Sequence, residues 1–251
     1  MPAFAFRMAL TTVVSTMLAS LAIAETPSGA PEHWPMPVMD NHPYSLVLID
    51  RLEYGNSDDG DNLLWDVQGW YGGDYNKLWV KSEGEGLTGE SLEVIETQVL
   101  FNRTFSPFWG WQAGVRYDAV PGGEDTAYAV FGAQGLAPQW FDTDVALFAS
   151  EEGGVSVRGE FEYEVLLTQR LVLQPRLEVN ASLGDVPEQG LGTGLTSTEA
   201  GLRLRYELRR EVAPYIGVRW ETLHGETRDI ARAAGESSSS TSLVLGIRAW
   251  F

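Results

Sequence analysis

The chain has no cysteine among its 251 residues. A disulfide framework, a thiolate metal centre and a cysteine nucleophile are therefore excluded, and stability has to come from packing and hydrogen bonding. Histidine is scarce as well, with three residues, which leaves little material for acid–base chemistry near neutral pH. Lysine is confined to Lys77 and Lys81, and every other basic side chain is arginine. Arginine pairs bidentately with carboxylates and keeps its charge when buried, so this bias suits an interior lined with ion pairs. Positive charge is short overall: 17 Lys and Arg stand against 35 Asp and Glu, a formal net charge of −18. A nucleic-acid partner, which would need a basic face, is not expected.

What is present begins with a leader. Arg7 supplies a positive start, Met8 to Ala22 are almost wholly apolar or small, and Ala22-Ile23-Ala24 has the small-x-small pattern of a signal-peptidase site. The apolar run is too short to span a bilayer and gives way to a polar, Pro-rich stretch, so residues 1–24 read as a signal peptide rather than an anchor. Residues 25–43 form a Pro/Met/His segment expected in the periplasm, and residues 44–251 the folded body.

Within that body the hydrophobic period is two, and almost nothing reads as a helix. Val155, Val157, Phe161, Tyr163, Val165 and Leu167 oppose Ser156, Arg158, Glu160, Glu162 and Glu164. Leu171, Leu173, Leu177 and Val179 oppose Gln174, Arg176 and Glu178, and Leu202, Leu204 and Tyr206 oppose Arg203, Arg205 and Glu207. One face is apolar and the other densely charged. Such runs give about twelve strands, each long enough to cross a bilayer when tilted. They fall at 44–54, 62–72, 75–84, 91–103, 108–118, 125–135, 139–149, 154–168, 171–182, 194–208, 212–223 and 240–251. The connectors after odd strands are longer or more polar, and those after even strands are tight.

Soluble β-sandwiches and lipocalins also alternate, but they put the polar face in water. Here the polar face of the eighth to tenth strands is a wall of Glu and Arg too charged to be mostly solvated. Aromatic residues gather near strand ends (Trp65, Trp70, Tyr71, Phe108, Trp109, Trp140, Phe141, Trp220, Trp250), as two interfacial girdles require. The chain closes on Leu243, Leu245, Ile247, Ala249 and Phe251, a terminal aromatic on an alternating strand that resembles the signal read by bacterial barrel-assembly machinery. The expected fold is all-β: an antiparallel transmembrane β-barrel in the bacterial outer membrane, embedded in its lipids, with both termini periplasmic.

Several stretches of the body resemble the copper-resistance protein B family of outer-membrane proteins. They include Leu63-Leu64-Trp65-Asp66, Gly69-Trp70-Tyr71-Gly72-Gly73-Asp74-Tyr75, Gln112-Ala113-Gly114-Val115-Arg116-Tyr117-Asp118, and Gly135-Leu136-Ala137-Pro138-Gln139-Trp140-Phe141. Thr168-Gln169-Arg170-Leu171, Ala213-Pro214-Tyr215-Ile216-Gly217-Val218, Gly225-Glu226-Thr227 and Gly246-Ile247-Arg248-Ala249-Trp250-Phe251 extend the similarity over nearly all of the chain after Pro43. The resemblance implies an outer-membrane barrel that helps cells withstand excess copper, with copper ions as what it handles and a periplasmic copper oxidase or carrier as a partner. Members of that family often carry a long extension rich in Met and His ahead of the barrel; here about nineteen residues would separate the cleavage site from the first strand, which does not suit bulk storage.

In the short segment, His33, Met36, Met39 and His42 recur every third residue among Pro31, Pro35, Pro37 and Pro43. Such a segment prefers polyproline II, with three residues per turn, so the four would line one edge. Thioether sulfur favours Cu(I) and imidazole accepts either copper state, which makes these four the candidate metal ligands. Residues three apart are separated by roughly 9 Å in a straight polyproline helix, so the edge would act as a ladder of exchanging sites unless it bends. His224, at the start of the longest loop, and the acidic loop of Asp58, Asp59 and Asp61 are weaker cation candidates that more often serve as solvated loop residues.

Arg116, Arg158, Glu160, Glu162, Glu164, Arg176, Glu178, Glu199, Arg203, Arg205, Glu207, Arg219, Glu221 and Arg248 are expected in the lumen. A barrel of this size can be largely closed by side chains so long. The favoured expectation is an ion-pair network bracing a narrow barrel, and the other is a polar path with cation preference. No enzymatic activity is expected, because His224 with its neighbours Glu221 and Glu226 forms no recognised catalytic constellation. The alternative to copper handling is a general narrow porin or structural barrel without metal specificity.

Overall fold

A computed structural model describes residues 42–57, 60–88, 92–186 and 190–251. The strands are β1 Tyr44–Ser57, β2 Gly60–Gly72, β3 Asn76–Leu87, β4 Val94–Ser106, β5 Trp109–Ala119, β6 Thr126–Ala137, β7 Phe141–Ser150, β8 Val155–Glu162, β9 Val165–Leu166, β10 Leu171–Ser182, β11 Gly194–Tyr206, β12 Val212–Leu223 and β13 Ser239–Trp250. A short 3-10 turn, Pro138–Trp140, joins β6 to β7, and one helix, α1, spans Gly225–Ala234. Among the described residues no helix is long and apolar enough to cross a membrane.

Each strand pairs antiparallel with its sequence neighbours, and β13 returns to β1 with Leu48 opposite Trp250. β8 and β9 both pair with β10, so they are two pieces of one wall strand interrupted at Tyr163-Glu164, and the wall is a closed barrel of twelve strands. Closure leaves no sheet edge, the condition for carrying strands through hydrocarbon, where an unpaired N–H or C=O would find no water. Both ends of the wall meet where Val47 and Phe251 exchange backbone hydrogen bonds of 3.0 and 2.9 Å. That end of the barrel also carries the tight connectors and is called here the turn end; the other is the loop end.

The alternation of the sequence becomes inside and outside. Leu243, Leu245 and Ile247 of β13 are exposed on the outer face while Ser242 and Val244, which alternate with them, are buried. The same reversal repeats on β10, where Leu177 is exposed and Gln174, Arg176 and Glu178 are buried. The expected lumen residues on β5, β8, β10, β11, β12 and β13 follow this rule. Glu207 departs from it: it lies beyond β11 in the turn and pairs with Arg210 at 3.3 Å.

β1 breaks the alternation. Its pairing with β2 shifts between Ile49 and Arg51, leaving Asp50 as an inserted residue. The bulge lets consecutive Asp50 and Arg51, which strict alternation would put on opposite faces, both be buried. Trp70 is a second departure, on the same face of β2 as Asp66 and Gln68, with its ring 6.4 Å from that of Trp79 inside the barrel rather than in an outer girdle.

The helix α1 lies within the stretch expected to be the longest loop. Glu226 in its first turn and Arg232 in its last suit the helix dipole, and Gly235 closes it in the left-handed region at φ 86°. Backbone N–H groups of Gly235 and Glu236 satisfy the carbonyls of Arg232 and Ala231 at 3.1 and 2.9 Å. The helix seats on the loop before β11, where the Gly192 N–H donates to Thr227 Oγ1 at 3.0 Å. Contact is so close that a Cβ at position 192 would stand 2.3 Å from Cβ of Glu226.

Candidate functional site

The polar interior is organised along the barrel axis. At the turn end a cavity of about 330 Å³ is lined by Trp70, Lys77, Trp79, Asn102, Gln134 and Asp142. Gln134 and Asp142 also line a smaller chamber of about 90 Å³ further in, with room for several waters. Its wall carries Asp66, Glu83, Glu96, Asp144 and Glu160 against two cations, Lys81 and Arg158. An apolar patch of Leu100, Val130 and Phe148 packs on one side of this interior, with Trp79, Tyr128 and Ala146 against it. The Arg116 guanidinium stacks 4.7 Å from Phe148 and 5.0 Å from Tyr128, so aromatic faces help to hold the charge in place.

Beyond the chamber the charged side chains interlock. Arg176, whose side chain is 1% exposed, contacts Glu160 at 3.0 Å, Glu162 at 3.3 Å, Glu178 at 2.7 Å and Glu199 at 2.8 Å. Arg51, at 2%, contacts Asp66 at 3.2 Å, Glu83 at 2.5 Å and Glu199 at 3.4 Å. Arg158 reaches from β8 to the opposite wall, donating to Glu96 on β4 at 3.1 and 3.2 Å and to Glu83 on β3 at 3.5 Å. Lys81 pairs with Asp144 and Arg219 with Glu85, two more ties between strands that are not neighbours. Toward the turn end, Arg205 and Arg248 share Glu164 at 2.6 and 3.0 Å. Arg203 donates to Glu53 at 2.5 Å, and Tyr215 donates to the same oxygen at 3.0 Å. Glycine at 246 makes that reach possible, since a Cβ there would lie 2.5 Å from the Tyr215 ring.

This interior is what the expected ion-pair brace requires, and it is larger than the clean alternation revealed. Asp50, Arg51, Glu53, Asp66, Glu83, Glu85, Glu96 and Asp144 join it from β1–β4 and β7. Their strands mix apolar and polar residues on both faces, so periodicity alone does not assign them. Counting charge rather than hydropathy would have found some: a strand with Glu83 and Glu85 two apart aims both at one face.

Of the four candidate metal ligands, His33, Met36 and Met39 lie outside the described residues. His42 is exposed, its ring edge-on to Tyr44 with centroids 5.4 Å apart. His224 is half-buried at the loop end, Nε2 lying 3.0 Å from Thr198 Oγ1 while its backbone N–H donates to Thr196 O at 2.8 Å. Asp58 and Asp59 are outside the described residues, and Asp61 is tied into its hairpin by Tyr54 Oη at 2.6 Å and Asn56 Nδ2 at 2.5 Å. In the loop before β11, the Thr193 hydroxyl and backbone N–H both donate to Asp185 and hold its carboxyl below the usual carboxylate range. Among the described residues, no three His, Asp or Glu side chains converge where a metal ion would sit.

A closed antiparallel wall with an apolar outside and a charged inside defines an outer-membrane β-barrel, and the protein is located in the bacterial outer membrane. Among solved structures, the NanC porin is similar in fold, with a TM-score of 0.53 and 10% identity over 79% of this chain and 98% of that one. The family description "Copper resistance protein B precursor" matches residues 43–251, and the chain belongs to that family. Copper resistance protein B of Escherichia coli is 47% identical over 206 residues, 82% of this chain and 69% of the relative. The copper resistance protein B homolog of Pseudomonas syringae pv. tomato is 41% identical over 214 residues, 85% of this chain and 72% of the relative. A role in copper resistance follows from the family.

Proposed function

We propose that the protein contributes to copper resistance by binding copper ions on the segment ahead of the barrel, through His33, Met36, Met39 and His42, and by handing them on at the outer membrane. One observation carries this reading. All five methionines of the chain, Met1, Met8, Met17, Met36 and Met39, precede the barrel, and there is no cysteine. The barrel therefore offers oxygen and a single imidazole, His224, but no sulfur. Cu(I) is favoured by soft thioether ligands, so the chemistry that would select it is available on the segment and not on the wall. Two methionines flanked by two histidines also bind copper without burying it, which suits exchange with a periplasmic copper oxidase or carrier.

In this reading residues 1–24 are removed on export, residues 25–43 and both chain termini of the barrel face the periplasm, and barrel-assembly machinery inserts the wall among outer-membrane lipids. The barrel positions the segment at the membrane, and no step of the proposal is catalytic. The interlocked lumen favours this over a general open porin, because Arg158, Arg51 and Arg219 tie together strands that are not neighbours.

The test is a titration of the detergent-purified mature protein with Cu(I) and with Cu(II), beside a variant in which all four ligands are alanine. The proposal expects Cu(I) binding by the wild type and its loss in the variant. Equal binding by the two would move the ligands to the lumen or loops and refute the assignment.

A further inference from the structure

Six of the lumen side chains form a closed ring of alternating charge: Arg51, Glu83, Arg158, Glu178, Arg176, Glu199 and back to Arg51. They come from β1, β3, β8, β10 and β11, so the ring spans the barrel rather than lying along one wall. Its contacts are unequal. Arg51–Glu83, Arg176–Glu178 and Arg176–Glu199 are 2.5, 2.7 and 2.8 Å. Arg158–Glu83 and Arg158–Glu178 are 3.5 and 3.6 Å, so both ring contacts of Arg158 are loose. Arg158 is also the most open of the three arginines, its side chain 17% exposed against 2% for Arg51 and 1% for Arg176. It faces the chamber that leads to the turn end. The chamber wall therefore includes one arginine that is bound to the far wall by its guanidinium.

We propose that Arg158 is the gate of a cation-selective path through the barrel, shut in the structure described and opened when its guanidinium leaves Glu83 and Glu96. Shutting needs a long side chain that spans the lumen and finds carboxylates on the far side, which Arg158 does through Glu96 and Glu83. Selectivity follows from what is left when it swings away. Glu83, which keeps Arg51, and Glu96, which keeps Arg116 at 2.8 Å, then join Asp66, Asp144 and Glu160 in a wall where carboxylates outnumber the one other lining cation, Lys81. Rings of carboxylate favour cations and repel anions, and a low-dielectric wall strengthens the effect. A cation entering from the turn end is also the natural competitor of the guanidinium for those carboxylates. Arg51 and Arg176, more deeply buried and more tightly held, remain as the frame against which Arg158 moves. The inference goes beyond copper handling and does not depend on it.

The test is single-channel conductance in planar bilayers with potassium chloride, which needs no copper. Wild type is expected to stay closed for most of the record. Arg158→Gln should raise the open fraction several-fold, with a reversal potential under a salt gradient displaced toward that of potassium. Arg205→Gln removes a more deeply buried arginine, 4% exposed, from Glu164, outside the ring, and should leave the wild-type record unchanged. Folding of each variant is checked by its heat-modifiable mobility in detergent gels. Should Arg158→Gln not fold, Glu83→Gln with Glu96→Gln releases the same guanidinium from the opposite wall and should open the same path. The proposal is overturned if the folded variants stay closed, if they conduct without cation preference, or if Arg205→Gln opens the barrel as well as Arg158→Gln does. Failure of this test leaves copper binding on the segment untouched, and failure of the copper titration leaves the gate untouched.

Discussion

Replacing Arg176 with methionine should cost more stability than any exposed charge change in the chain. Arg176 is 3% exposed as a residue and stands within 3.3 Å of Glu160, Glu162, Glu178 and Glu199. Methionine keeps much of the volume but removes the charge, so the penalty is that of leaving carboxylates buried and unpaired. Breaking one buried pair in this way costs about 3–5 kcal/mol. The stranded carboxylates can escape by taking a proton. At pH 7 neutralising a glutamate with an ordinary pKa near 4.3 costs about 4 kcal/mol, so escape is no cheaper than the penalty itself. Glu178 and Glu199 keep a second arginine each, Arg158 and Arg51, which confines most of the damage to Glu160 and Glu162. The expected loss at pH 7.5 is thus about 3–5 kcal/mol rather than several times that. The folded variant would hold more protons than its unfolded chain, so its deficit should grow with rising pH and shrink toward pH 5. Urea unfolding in lipid vesicles, followed by tryptophan fluorescence at both pH values, reads this directly. Arg210→Ala is the reference, because its partner Glu207 and its own 74% exposed side chain place it outside the network, and its effect should stay within about 0.5 kcal/mol. A variant Arg176→Met within about 1 kcal/mol of wild type at pH 7.5 would refute the idea that the network braces the barrel.

Further outcomes follow from the same geometry. Gly246→Ala would drive a methyl group into the Tyr215 ring 2.5 Å away and should destabilise by about 1–3 kcal/mol in the same unfolding assay, whereas Gly122→Ala, with no atom within 4 Å but φ 88°, should introduce only backbone strain. Leu245→Arg, on the outer face of β13 at 60% exposure, should cost about 2–4 kcal/mol in vesicles if that position lies near the bilayer midplane. The same change in a water-soluble barrel would be nearly neutral, so vesicle unfolding distinguishes the two. Thr227→Val removes the hydroxyl that accepts from Gly192 N–H and should raise amide exchange at Gly192 and along α1 without lowering the stability of the wall.

The wall was legible because lipid outside and charge inside impose period two along most strands. β10 runs Leu171–Ser182 and β12 Val212–Leu223, as their alternation requires, and the other strands fall within a few residues of expectation. The tight turns and longer loops also fall on opposite ends, as their composition implies. Three features were not legible. The bulge at Asp50 is a register shift that only pairing with β2 reveals, and it brings both of two adjacent charges inside. The helix α1 was hidden in a loop by its Ser-rich flank and by its polar character. Its own signals were present all the same: Glu226 at the start, Ala231, Ala233 and Ala234 in the last turns, and Gly235 after them. The arginine ring was half visible, since Arg158, Arg176, Glu178 and Glu199 lie on clean strands. Arg51 and Glu83 lie on strands where both faces mix, and no one-dimensional pattern shows that a side chain on β8 meets one on β3. The proposed copper ligands are a different case. Their spacing and chemistry are sequence properties, and His33, Met36 and Met39 fall outside the described residues.

In the proposed function, copper handling resides in the segment ahead of the barrel, and the barrel carries that segment at the outer membrane. Copper tolerance of a strain lacking the protein, restored either with the full chain or with the full chain bearing alanine at His33, Met36, Met39 and His42, tests it most directly. Heat-modifiable mobility of both proteins in outer-membrane fractions shows whether the barrels are folded and in equal amount. Wild type is expected to restore growth at elevated copper, and the four-alanine chain, folded and inserted to the same level, is expected not to. Full restoration by the four-alanine chain would contradict it and would place copper handling in the barrel.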